Sequence, residues 1–236
     1  MRAIYSREIK SYFNTMTGYI FMTIFLLVGG LFFSNTNLMG ENAQVNSVLS
    51  NLQYILLIIT PVLTMRLLAE ERKAKTDQML LTAPISIRSI VAGKFFSALS
   101  VFVITLVISF IYPIILAILG TPSWGEIITG YFGLLLFGGA LISVGMFISS
   151  LTQSQVTAAV ATLGVMLSIL LVEMMIPQIG NEAIRTTLSK ATLSYNIYYF
   201  QRGIISLASV VYYLSFIFLF LFLTTRMVER RRWAKG

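Results

Sequence analysis

The sequence predicts an all-α integral membrane protein with six transmembrane helices, and three observations carry that prediction. Over 236 residues the chain is 57% hydrophobic and only 11% charged, with a mean hydropathy of +0.84. Its apolar residues gather into runs of about 20, the length a helix needs to cross a bilayer, without the period-two alternation of a barrel. Its basic residues gather between some of those runs and are nearly absent between the others.

Taken in order, residues 1–17 set Tyr5, Ile9, Tyr12, Phe13 and Met16 at helical spacing against Arg7, Lys10 and Asn14. That pattern fits an amphipathic helix in the membrane interface, with a plain flank of the first span as the alternative. The first span is Gly18 to Phe33, short enough that its helix is expected to extend toward Leu38. Cleavage as a signal peptide is not expected, because the run ends in Ser34 to Asn37 without a small-x-small site. Residues 34–51 hold five Asn and Glu41 but no Lys or Arg, as exported loops tend to. The second span, Leu52 to Leu68, contains Pro61, which removes a backbone donor and kinks helices.

After a polar stretch over residues 66–94, a third span runs from Phe95 to Leu119, with Pro113 near its outer end. A turn at Pro122 and Trp124 leads into a fourth span, Ile127 to Ser149. There small residues recur four apart at Gly139/Ser143 and Gly145/Ser149, which lets helices approach closely, within the chain or between subunits. A tight link at Thr152 to Ser154 opens the fifth span, Gln155 to Ile176. Glu173 is the one acid in that run: a functional intramembrane carboxylate, or a solvated helix end four residues before Pro177. Residues 178–202, with Tyr195, Tyr198, Tyr199 and Phe200 close together, suit short interfacial or re-entrant helices. The sixth span is Gly203 to Thr225. One transmembrane domain is thus expected: 1–17 interfacial helix, 18–65 spans one and two, 66–94 polar segment, 95–225 spans three to six, 226–236 basic tail.

Six spans put both termini on one side, and the positive-inside rule makes that side cytoplasmic. The amino end, the polar segment and the tail together hold 14 of the 17 basic residues, leaving Arg185, Lys190 and Arg202 on the other side. Topology and anionic lipid therefore account for the formal charge of +8 without nucleic acid. With no Cys and no His, thiolate chemistry, disulfides and the commonest general base and metal ligand are absent. There is no GxxxxGK[ST] loop for ATP, no HExxH and no GxSxG elbow. No span carries a mid-membrane carboxylate, so a non-catalytic membrane subunit powered by a partner is the expectation.

Pro61, Thr64, Met65, Arg66, then Ala69, Glu70, Glu71, Arg72, Lys73, Thr76, Leu80, Leu81, Thr82, Pro84, Ile85, Ile90, Val91, Gly93 and Lys94 resemble the segment joining spans two and three in permeases of the type-2 ABC exporter family. From Arg202 to Trp233 the chain resembles the subgroup that includes the permease associated with gliding motility. It departs at Lys75, where many relatives have Gly, at Asp77 and Gln78, and at Ser206 and Ser209, where the subgroup often has acids.

The resemblance implies a coupling helix within Glu70 to Leu81 that docks on a separate ATP-binding subunit. Glu70, Glu71, Arg72, Lys73, Lys75, Thr76, Asp77, Leu80 and Leu81, with Arg7 of the amino-terminal helix, are the implied contacts. Ala83 and Pro84 would end that helix, and Ser86 would cap a second short one leading to span three. Charge alone also fits a solvated loop. ATP and Mg would be bound by the partner, and no cofactor by this chain. A second permease copy or a homologous permease, membrane lipids and an auxiliary membrane protein with an extracytoplasmic domain complete the implied partners. The implied function is export across the bacterial cytoplasmic membrane. The alternative is a structural, non-translocating subunit of a surface-motility or adhesin-assembly machine.

Overall fold

The computed structural model describes residues 1–40, 46–73 and 86–234, and among them every regular element is helical. In chain order these are α1 (Arg2–Asn14), α2 (Thr17–Phe33) with a π-helical turn (Ser34–Leu38), α3 (Asn46–Thr64), α4 (Ala69–Lys73), α5 (Ile87–Ser109), α6 (Ile111–Leu119), α7 (Trp124–Leu151), α8 (Gln155–Met175) with a 3₁₀ turn (Ile176–Gln178), α9 (Glu182–Ala191), α10 (Leu193–Gln201) and α11 (Leu207–Ala234). Six stretches are long and apolar enough to cross a membrane: 17–38, 47–73, 87–119, 124–151, 155–178 and 207–230.

Several boundaries differ from expectation, and the following have a physical reason. α3 starts at Asn46, inside the polar stretch, because Val48 and Leu49 are fully buried and hold that turn against the bundle. α5 starts at Ile87, so the helix that Ser86 caps is the third span itself, with Ser86 accepting from Ser89 N at 3.4 Å. That span is interrupted at Phe110, because Pro113 offers no N–H to the Ser109 carbonyl. The Tyr131 hydroxyl donates to that carbonyl instead, at 3.0 Å. Finally, α11 does not stop at Thr225 but continues to Ala234.

α7 is the hub. It packs against α3, α5, α8, α10 and α11, while α2 covers α3 and α5. Lipid tails are as apolar as leucine, so close packing rather than expulsion from water must hold these helices together. The small residues of α7 serve that end within the chain. A Cβ on Gly138 would sit 2.1 Å from the Phe102 ring of α5, and one on Gly145 would sit 2.3 Å from Thr64 Oγ1 of α3. Buried hydroxyls turn back onto their own helices, as Thr105 does to the Val101 carbonyl at 2.8 Å, which pairs them without a partner from another helix.

Candidate functional site

α3 does not run straight into α4. Residues 65–68 form a turn in which Leu67 N bonds back to the Thr64 carbonyl at 3.1 Å, a three-residue step that leaves the Leu63 carbonyl without its usual helical donor. Tyr12 of α1 supplies one, its hydroxyl donating to Leu63 O at 2.7 Å. Burial, reinforced by the Glu8 charge, pushes the Tyr12 phenol above its ordinary value, so it remains a donor. On the other side Ser149 of α7 fills the break. Its Oγ accepts from Leu68 N at 3.2 Å and Ala69 N at 3.1 Å and donates to Met65 O at 3.2 Å. The four-residue spacing of Gly145 and Ser149 thus has a specific use: Gly145 admits Thr64, and Ser149 caps the next turn.

Charged side chains then fasten α4 in place. Arg66 makes a two-pronged contact with Glu70, Nε to Oε2 at 2.7 Å and Nη2 to Oε1 at 2.9 Å. Its Nη1 donates to the hydroxyls of Thr15 and Thr17 where α1 turns into α2. That turn needs a left-handed residue, and Met16 takes it at φ 61°. Arg72 reaches the end of α7, donating to the carbonyls of Ser150 at 3.3 Å and Thr152. Cations are favoured at helix carboxyl ends, where carbonyls lack partners.

Glu71 belongs to a larger cluster. Lys94 of α5 is only 1% exposed, and its Nζ lies 3.0 Å from both Glu71 Oε1 and Glu8 Oε1 of α1. Arg7 Nη2 closes the set at 2.6 Å from Glu71 Oε1 and 2.9 Å from Glu8 Oε1. Partial burial opposes the Arg7 charge, but the hydrogen bond to Glu8 and the attraction of Glu71 outweigh it and raise its pKa. Two cations and two carboxylates leave the cluster neutral, which is what allows a lysine to sit in so dry a place. The cluster ties three elements far apart in sequence: the amino-terminal helix, the end of span two and the start of span three.

Of the residues expected to contact a partner, Glu70, Glu71 and Arg72 are thus engaged within the chain, Arg7 spans the cluster with a half-exposed side chain, and Lys73 is exposed. Lys75, Thr76, Asp77, Leu80 and Leu81 lie outside the described residues. Sequence reading missed Glu8, Tyr12 as a backbone donor, Ser149 as a plug and Lys94 as a buried cation. A signal for the first existed, since Ile4, Glu8 and Tyr12 are spaced four apart, and Ile4 and Tyr12 are the buried residues of α1. The inward face is therefore rotated from the Tyr5, Ile9, Phe13 stripe.

At the other end of the bundle Glu173 meets α10. Its Oε1 accepts from Ser194 N at 3.1 Å and its Oε2 from Ser194 Oγ at 2.5 Å, alongside the Thr192 cap on Tyr195 N. A carboxylate suits a helix amino end, so this contact anchors the α9–α10 pair to α8. A pocket of about 330 Å³ opens beside it, lined by Tyr54, Glu173, Pro177, Ser189 and Tyr195 among others. Among the described residues no group of three or more acids converges as a metal site would require.

No curated protein matches the chain. The family model described as ABC-2 family transporter protein matches residues 4–225, nearly the whole length, covering five of the six apolar stretches and most of the sixth. The chain belongs to the ABC-2 transporter family and is a multi-pass permease subunit of an ABC transporter.

Proposed function

We propose that this permease exports its substrate across a bacterial cytoplasmic membrane using ATP hydrolysed by a separate subunit that docks on residues 70–81 and α1. The observation that carries the reading is Lys94, buried between Glu8 of α1 and Glu71 of α4. A partner pulling on α4 would pull on α1 and α5 through that cluster, and on α7 through Ser149 and Arg72, so motion at one end would reach the central helix. The charge asymmetry supports placing this end in the cytoplasm, and the chain itself remains non-catalytic. A second copy or homologous permease completes the pathway.

The experiment is reconstitution of the permease with its co-purifying ATP-binding subunit in vesicles. Lys94→Gln is expected to keep the ATPase bound but to lose most ATP-driven transport and ATPase stimulation. Full transport by that variant would refute transmission through the cluster. The structural-subunit reading draws on the carboxyl-end resemblance to the motility-associated subgroup. It gains if no cargo of any class moves in the same vesicles while the complex assembles.

A further inference from the structure

A groove of about 320 Å³ lies between the start of α5 and the far part of α11, lined by Arg88, Val91, Ala92, Phe218, Leu221, Phe222, Thr225, Arg226 and Glu229. We propose that it holds one anionic glycerophospholipid, a site that does not depend on the transport reading. Two arginines and a mostly apolar wall line it together. Arg88 is exposed in the first turn of α5. Arg226 stacks its guanidinium 5.0 Å from the Phe222 ring and pairs with Glu229 at 3.1 Å. With that one carboxylate counted, the lining keeps a net charge of +1.

Charge complementarity selects the occupant. A lone phosphate would gain nothing from Val91, Phe218, Leu221 and Phe222, and a neutral amphiphile would leave Arg88 unmatched. A phosphodiester with acyl chains uses both halves. The exposed row Val211, Leu214, Phe218 and Phe222 continues along α11 as a track for a chain. Basic pockets between transmembrane helices take anionic headgroups for this reason.

The test releases the full chain from vesicles of equal phosphatidylglycerol and phosphatidylcholine and counts retained lipids by native mass spectrometry. Wild type is expected to retain phosphatidylglycerol preferentially. Arg88→Gln and Arg226→Gln should each lower the retained ratio on the order of fivefold. Ala92→Phe keeps both charges but fills the groove, and should also lose the lipid. Arg230→Gln removes an exposed charge outside the lining and should leave the ratio unchanged. An equal fall with Arg230→Gln would reduce the effect to general surface attraction. Retention by Ala92→Phe, or displacement of the lipid by excess inorganic phosphate, would equally overturn the assignment.

Discussion

Glu71 Oε1 lies 3.0 Å from Lys94 Nζ, and these two residues stand on either side of the segment joining α4 to α5. Their pairing fastens the two stems of that segment together, and Glu8 holds the same ammonium from α1. Removing the cation should expose the arrangement's cost. Losing one partner of a buried ion pair destabilises by roughly 3–5 kcal/mol, and with Arg7 still beside both carboxylates Lys94→Met should fall near the lower end. Adding Glu8→Gln and Glu71→Gln removes the stranded charges. A melting curve in detergent should show the triple variant recovering much of what the single variant loses.

Ser149→Ala strips the plug from the α3–α4 break. It leaves two buried N–H groups and a carbonyl without their hydroxyl, at about 1–3 kcal/mol. Amide exchange should rise at Leu68 and Ala69 first, with the middle of α7 unaffected. Uniform loosening of the whole bundle would contradict a local role.

Gly145→Ala is expected to destabilise by about 1–3 kcal/mol through overpacking against Thr64. Thr64→Ala should rescue it only in part, because the Thr64 Cβ itself would lie 2.8 Å from the new methyl. Gly164→Ala, with nothing within 4 Å, is the control and should not destabilise the isolated chain, gaining at most about 1 kcal/mol of helix propensity. The comparison is read from melting temperatures of the three variants.

These positions also show what a sequence can convey about such a chain. Span number follows from apolar length, a property local to each run, which is why α2 and α8 fall close to their expected bounds. Helix starts are less legible where a polar run hides one or two buried residues, as Val48 and Leu49 do for α3. The site was the least legible part. Lys94 looks like a loop charge until α1 and α4 are seen to bring a carboxylate each, and that meeting joins residues 86 and 23 positions apart. Glu173 shows the same limit, since only the fold reveals Ser194 as its partner.

At Glu173 the cap can be told from a proton-carrying site. Glu173→Gln keeps an acceptor for Ser194 N and loses the charge at the start of α10, a loss of about 0.3–1 kcal/mol. Glu173→Ala loses both and should loosen α9 and α10, seen as faster proteolysis between Gln178 and Gln201. If anchoring is its role, the Gln variant transports with an unchanged pH profile. A profile flattened by Gln would make the carboxylate a proton carrier.

Docking is the hardest contact to test cleanly, because Glu71 and Arg72 already hold the permease together. Reversing either charge would unfasten α4 whether or not a partner touches it, so lost ATPase binding in such a variant proves little. Lys73 separates the two effects. It is exposed and lies on the same short helix, where mixed charge favours partner choice more than affinity. Lys73→Glu is expected to leave the permease's melting temperature within the scatter of surface substitutions, about 0.5 kcal/mol, while sharply reducing co-purification of the ATP-binding subunit. Undiminished co-purification at unchanged stability would move the docking surface away from this segment and leave the ion-pair cluster as purely internal bracing.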